Sequence, residues 1–168
     1  FFLQPNCRLI MARMLTLVLP IFLAAPAQTA SFIYLDPSAD QTIRRAMNAT
    51  YNLDLAEARR AARSLQTTRP DHPVGFVLEA ETYWWEAQLD PENQRIEEAY
   101  FRTQQLAEDK AEAAVKANKY SRPEVLAYLA SAHGSYARFQ VTQKGSFYKA
   151  MRAGMRAHKY AEQVYALD

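Results

Sequence analysis

The segment LEAETYWWEAQL, residues 78–89, holds the side chains of this sequence best suited to act on a ligand. Trp84 and Trp85 are adjacent, and Glu79 and Glu86 lie on either side of them. Aromatic rings offer a broad apolar face, and two carboxylates at the right separation can cleave a glycosidic bond. One interpretation is therefore a cell-wall glycan-binding or glycan-cleaving helical domain that uses these four residues.

The helical positions of the two tryptophans favour packing instead. At about 100° per residue, Trp84 falls on the side of the helix that carries Ala80, and Trp85 falls nearly opposite. Apolar residues line both sides, which predicts a helix held between two neighbours. We expect both rings to be mostly packed. The polar strip left between the two apolar sides consists of Glu79, Thr82 and Glu86.

The sequence contains no recognisable motif for metal binding, cofactor binding or nucleophilic catalysis. The histidines His72, His133 and His158 fall on separate predicted elements, and none has a partner histidine four residues away. No nucleophile elbow, phosphate loop or dinucleotide fingerprint occurs. Acidic pairs such as Glu108 and Asp109 indicate a solvated helix face, while carboxylates that meet across helices stay an alternative. We predict a non-catalytic protein without metal or cofactor.

The last helical segment carries four basic side chains spaced by three, four and three residues, which places them on one face. This basic stripe consists of Lys149, Arg152, Arg156 and Lys159. A solvated outer face is the ordinary explanation of such a stripe. An acidic partner and an anionic membrane surface are the alternatives. Apolar side chains on another side of the same segment, including Met151 and Met155, need a cover.

Composition and charge limit the class of protein. The chain of 168 residues is 49% hydrophobic and 23% charged, as expected for one globular domain. Its 20 basic and 18 acidic side chains nearly balance, so no strong field for nucleic acid is expected. The balance hides a gradient: residues 28–115 hold 15 acidic and 9 basic side chains, whereas residues 116–168 hold 3 acidic and 9 basic.

The N-terminal segment has the layout of a secretory signal peptide. After Arg8 and Arg13 comes MLTLVLPIFLAAPA, an apolar run too short to span a bilayer and ending in small residues. We expect Met11 to be the start of translation and cleavage to follow Ala27, with a retained membrane anchor as the alternative. Residues 1–27 are then upstream residues and leader, and 28–37 a linker. Cys7, the only cysteine, falls before the mature chain. The protein is expected to be exported to the periplasm or cell envelope.

Helix-forming residues dominate after Asp36, and apolar residues recur at spacings of three and four. Asp or Ser followed closely by proline marks several helix starts, and Gly145 marks a helix end. Short connections predict that neighbouring helices pair as three antiparallel hairpins. The predicted helices span 38–51, 54–68, 73–88, 91–119, 123–143 and 146–167.

Parts of this helical region carry motifs that recur with similar spacing. A large, a small and an aromatic residue follow one another in Phe76, Ala80 and Tyr83. Glycine, an aromatic residue and alanines begin the last helix at Gly145, Phe147, Ala150 and Ala157. Leu55, Ala58 and Pro70 repeat that second pattern more loosely, with a closing proline. In these motifs residues 38–168 resemble tetratricopeptide repeats, with a fourth helix longer than the family uses.

The resemblance implies an all-α fold in which about three helix hairpins stack as a right-handed α-solenoid. The first helices of such hairpins line a concave surface, which would bind a peptide or a partner protein without catalysis. The residues that the resemblance assigns to this surface are Glu79, Thr82, Glu86, Leu129, His133, Tyr136 and Gln140. The implied role is that of an interaction or scaffold domain of an exported protein.

The end of the sequence at Ala166-Leu167-Asp168 lacks a polar capping helix of the kind that closes a repeat array. We therefore expect further repeats beyond it, or self-association through the open side of the last helix.

Overall fold

The computed structural model describes residues 36–167, and within that range regular structure is entirely α-helical. The helices are α1 (Pro37–Tyr51), α2 (Leu55–Thr68), α3 (Val74–Leu89), α4 (Gln94–Ala117), α5 (Arg122–Thr142) and α6 (Phe147–Tyr165). The prediction of an all-α chain with six helices is confirmed. The predicted leader, 1–27, and all but the end of the predicted linker lie outside the described residues. None of the six helices combines the length and the apolar character that a membrane crossing requires.

Acidic side chains set the start of the first two helices. Asp36 accepts hydrogen bonds from two backbone N–H groups of the first turn of α1, at 3.0 and 3.4 Å. Asp54 accepts one from the first turn of α2, at 3.1 Å. These bonds satisfy N–H groups that have no partner within the helix. The Asp36-Pro37 start that the sequence predicts is confirmed.

Helix α4 differs from its predicted bounds. The prediction of a start at 91 is wrong, because the side chain of Asn93 caps the helix and accepts from the N–H of Arg95 at 3.2 Å. At the other end Asn118 adopts the left-handed conformation, with φ of 50°, and stops the helix. With 24 residues α4 is still the longest helix of the described chain, as the repeat spacing predicts.

Consecutive helices pack against each other throughout the described chain. Across α2 and α3, Arg59 contacts Glu86 whereas Arg63 contacts Glu79, so the two helices run in opposite directions. Contacts also form between helices two places apart, α1 with α3 and α3 with α5. Helices α1, α3 and α5 therefore adjoin one another in order.

The core is divided into three clusters that follow this order of helices. They are Ala39, Ile43, Leu65 and Val74; then Trp84, Ala87, Tyr100 and Phe139; then Ala111, Ala114, Val125 and Leu129. The rings of Tyr100 and Phe139 stack with centroids 4.2 Å apart and join α4 to α5.

Helices α2 and α3 approach closely at Gly75. A Cβ atom on Gly75 would lie 2.8 Å from the carbonyl oxygen of Ala62 and 2.9 Å from the backbone nitrogen of Gln66. Ala58, Ala61 and Ala62 are fully buried on the facing helix. Only glycine fits at this contact without a shift of one of the two backbones.

Candidate functional site

The two tryptophans do not form a flat platform. Trp84 is buried, with 9% of its surface exposed, and Trp85 is half-buried. Their ring planes are inclined at 82°, with centroids 4.8 Å apart. The guanidinium of Arg138 covers the Trp84 ring at 3.7 Å from its centroid. No sugar could lie across both rings in this arrangement.

The polar strip of α3 faces helix α2. Arg59 donates hydrogen bonds to the hydroxyl of Thr82 at 3.0 Å and to the carboxylate of Glu86 at 2.6 Å. Glu79 accepts from Arg63 at 2.9 Å and from Gln66, which belong to α2. The carboxylate pair proposed for glycan cleavage is therefore held by two guanidinium groups.

The predicted concave set is divided among three places in the structure. Glu79, Thr82 and Glu86 lie in the contact between α2 and α3. Leu129 is buried in the core cluster that α5 shares with α4, and Gln140 is buried as well. His133 and Tyr136 instead line a groove bounded by α4, α5 and α6.

This groove has a volume of about 460 Å³ and is here called the basic groove. Its lining residues are Phe101, Gln104, Gln105, Glu108, His133, Tyr136, Lys149, Arg152, Ala153 and Arg156. Three members of the predicted basic stripe thus lie beside two members of the predicted concave set. Lys159, the fourth member of the stripe, is exposed and does not line the groove.

Two side chains fix the interior of the basic groove. His133 Nδ1 lies 3.2 Å from the Glu108 carboxylate, and its ring stacks on Tyr160 with centroids 5.5 Å apart. Gln104 donates hydrogen bonds to the carbonyl of Ala132 and to Glu108. His133 and Glu108 are therefore engaged with each other, while the three cations that line the groove belong to α6.

A second groove lies on another face and has a volume of about 340 Å³; it is here called the apolar groove. Its lining residues are Ile43, Met47, Thr50, Tyr51, Val74, Val77, Leu78, Glu81, Trp85, Tyr128 and Arg138. Every one of them belongs to α1, α3 or α5, the helices that the sequence predicts to come first in each hairpin. Met47 and Tyr51 are exposed at its rim, and Glu81 pairs with Arg138 at 2.7 Å.

Sequence reasoning missed the apolar groove as a site. The two apolar sides of α3, one of which carries Leu78 and Trp85, predict packing on both sides, and Tyr128 likewise falls on a predicted packing side of α5. Met47 and Tyr51 are not among the predicted site residues. A signal is present on α1, where the large apolar residues Ile43, Met47 and Tyr51 recur at four-residue spacing. The sequence could not say that this stripe is left partly uncovered.

The turns that connect the hairpins are joined by a polar contact. Asp71, before α3, accepts hydrogen bonds from Lys119 and, at 2.6 Å, from the hydroxyl of Tyr120. These two bonds lower the pKa of Asp71 from 3.8 to about 2. Nearby, His72 is fully buried and makes edge contacts with the rings of Tyr120 and Tyr128. This contact orders the turns, and no ligand chemistry follows from it.

Within residues 36–167, no three His, Cys, Asp or Glu side chains are grouped so that they could hold a metal ion. Comparisons of the chain with family models, curated proteins and solved structures found no significant match. The two grooves are the candidate ligand sites. Both offer noncovalent contacts: apolar and aromatic surface in one, positive charge in the other.

Proposed function

We propose that this chain is a non-catalytic binding domain whose three helix hairpins stack as a right-handed α-solenoid resembling tetratricopeptide repeats. Its ligand is a peptide segment of a partner protein, and its binding surface is the apolar groove. The setting is the periplasm or cell envelope of a bacterium, a proposal that rests on the apolar N-terminal segment of the sequence alone.

The observation that carries this proposal is the origin of the apolar groove. All its lining residues come from α1, α3 and α5, and these helices adjoin one another in that order. In a stack of hairpins the first helices form one continuous surface, because each repeat contacts only its neighbours. A groove across this surface is where the resemblance implies that a peptide binds.

The residue types of the apolar groove suit an interface better than a core. Tryptophan, tyrosine and arginine dominate the binding energy of protein interfaces, and Trp85, Tyr51, Tyr128 and Arg138 line this groove. Methionine adapts its flexible side chain to different partners, and Met47 lies at the rim with 41% of its surface exposed. A peptide with one or two large apolar anchors fits a recess of about 340 Å³.

The ion pair of Glu81 and Arg138 gives the apolar groove a polar edge. Both side chains are partly exposed, and Glu81 also accepts a hydrogen bond from Ser135 at 3.2 Å. Such an edge provides donors and acceptors for the main chain of a bound peptide, which apolar contact alone cannot orient. No observation on Trp84, Trp85, Glu79 or Glu86 favours the glycan alternative, because the rings are perpendicular and the carboxylates are held by arginines.

In the test, peptides that bind the whole chain are selected from a random displayed library, and their affinity is measured by fluorescence polarisation. The decisive variant is Met47→Glu, which puts a charge at the rim of the apolar groove. Its matched control is Leu106→Glu, because Leu106 is also 41% exposed but lies outside both grooves on α4. We expect Met47→Glu to weaken binding by at least about tenfold and the control to leave it unchanged.

Two results would overturn the proposal. One is a set of selected peptides whose affinity is the same for Met47→Glu and the wild type. The other is a dimer, measured by light scattering, that Met47→Glu dissociates, because the occupant of the groove would then be a second copy of the chain.

A further inference from the structure

We propose that the basic groove is a second binding site, separate from the apolar groove, which takes the carboxylates of an acidic peptide segment. This site goes beyond the proposed function, because it lies among α4, α5 and α6 and shares no lining residue with the apolar groove.

The cations of the basic groove are without acidic partners in the described chain. No carboxylate oxygen of residues 36–167 lies within 4.0 Å of the charged nitrogens of Lys149, Arg152 or Arg156. Arg59 and Arg63, by contrast, are both paired with carboxylates of α3. Three neighbouring positive charges repel one another, and an anionic ligand between them relieves that repulsion.

The acidic residue of the groove does not neutralise them. Glu108 is engaged by His133 at 3.2 Å and by the amide of Gln104 at 3.4 Å. These contacts hold the Glu108 carboxylate on the α4 and α5 side of the groove. It does not pair with the guanidinium groups of α6. The α6 wall therefore keeps its net positive charge.

The spacing of the cations matches that of carboxylates along a peptide. Lys149, Arg152 and Arg156 are three and four residues apart, so neighbours on this face are separated by about one helical turn, roughly 5–6 Å. Alternate side chains of an extended peptide lie about 6.6–6.8 Å apart on one side. Arg152 and Arg156 can each bind a carboxylate through two parallel hydrogen bonds, which the point charge of a lysine cannot form.

The shape of the site favours a peptide over a membrane. The cations line a recess whose facing wall includes Phe101, Gln105 and Tyr136, with the rings of Phe101 and Tyr136 in contact at 5.8 Å between centroids. A flat bilayer reaches the rim of a recess but not its walls, whereas a single extended chain enters it. Exposed Gln105 can donate to the main chain of such a peptide.

The test uses a fluorescein-labelled peptide of six glutamates and, as its neutral counterpart, the same peptide with six glutamines. Binding to the whole chain is followed by fluorescence polarisation over a series of salt concentrations. We expect the glutamate peptide alone to bind, with an affinity that falls as salt rises. The double variant Arg152→Gln/Arg156→Gln should weaken it by about tenfold.

The matched control is Lys116→Gln/Arg122→Gln, which removes the same charge from exposed positions outside the groove. Met47→Glu serves as a second control, because it should disturb only the apolar groove. Loss of peptide binding at one groove can then be distinguished from loss of binding at the other. Equal weakening by both double variants would overturn the proposal, since net charge alone would explain it. So would a chain that floats with phosphatidylglycerol vesicles but does not bind the glutamate peptide.

Discussion

Arginines on α2 and on α6 stand in opposite surroundings. Arg59 and Arg63 are held by the carboxylates of Glu86 and Glu79 in the contact with α3. Arg152 and Arg156 face a groove in which no carboxylate lies near enough to pair with them. The same residue type joins two helices in one region and is available to a ligand in the other. Neighbours on other helices, rather than the residue itself, decide which role it has.

The two regions also differ in packing. Helices α2 and α3 approach at Gly75, and four residues of α2 are buried. Helix α6 has two buried residues among its 19, Ala150 and Ala153, and exposes large side chains such as Met151 and Met155. We infer that the α2–α3 contact supplies stability, while α6 supplies binding surface.

The largest effect is expected from Gly75→Ala. The added methyl group would meet the backbones of Ala62 and Gln66 at 2.8–2.9 Å, closer than nonbonded atoms approach. Because neither backbone can rotate away as a side chain can, we expect a loss of about 3 kcal/mol in the free energy of unfolding. Urea denaturation, followed by circular dichroism, measures it.

The control for that change is Gly154→Ala on α6. A Cβ at Gly154 meets nothing within 4 Å, so alanine brings only its higher helix propensity, about 0.5–1 kcal/mol of added stability. If both variants shift the urea midpoint in the same direction, the two regions are packed alike and the comparison fails.

A smaller effect is expected from Arg63→Met, which removes a charged partner from Glu79. The Glu79 side chain is only 9% exposed, so water cannot fully replace the lost bond, although Gln66 still donates to the carboxylate. We expect a loss of about 1–3 kcal/mol in thermal or urea unfolding. Lys144→Met removes the partner of a more exposed carboxylate, Glu97 at 28%, and should cost less than about 1 kcal/mol. Equal costs would show that α2–α3 pairing is not special.

The sequence predicted the helices better than the surfaces. Periodicity and the proline-marked starts located all six helices, and the largest error in a helix bound, at the start of α4, arose because a capping asparagine follows the Asp90-Pro91 pair. These signals are local: each depends on residues within one or two turns.

The site depends on contacts between helices, which periodicity does not encode. Glu79, Thr82 and Glu86 do share one face of α3, as predicted. The spacing of residues along one helix does not show that α2 covers this face. A complementary pattern was present, since Arg59 and Arg63 are four residues apart on α2 and carry the charge opposite to that of the glutamates in the polar strip of α3. The basic stripe was likewise predicted as a set, while its position beside His133 and Tyr136 depends on how α6 packs on α5.

The smallest effect is expected at Asp71, in the turn between α2 and α3. Its pKa is lowered from 3.8 to about 2 by hydrogen bonds from Lys119 and Tyr120, so the folded chain favours the ionised carboxylate. The resulting stability is present above about pH 4 and is lost as pH falls through about 2. Because the Asp71 side chain is 46% exposed, solvent screening limits this contribution to the free energy of unfolding to less than about 1 kcal/mol.

We expect Asp71→Asn to lower the urea midpoint near neutral pH, and the difference from the wild type to shrink between about pH 4 and pH 2. Glu112→Gln, at an exposed position of α4, should show no such difference at either end of that range. A deficit of Asp71→Asn that persists unchanged at about pH 2 would mean that packing, rather than the charge of Asp71, holds the α2–α3 turn against the α4–α5 turn.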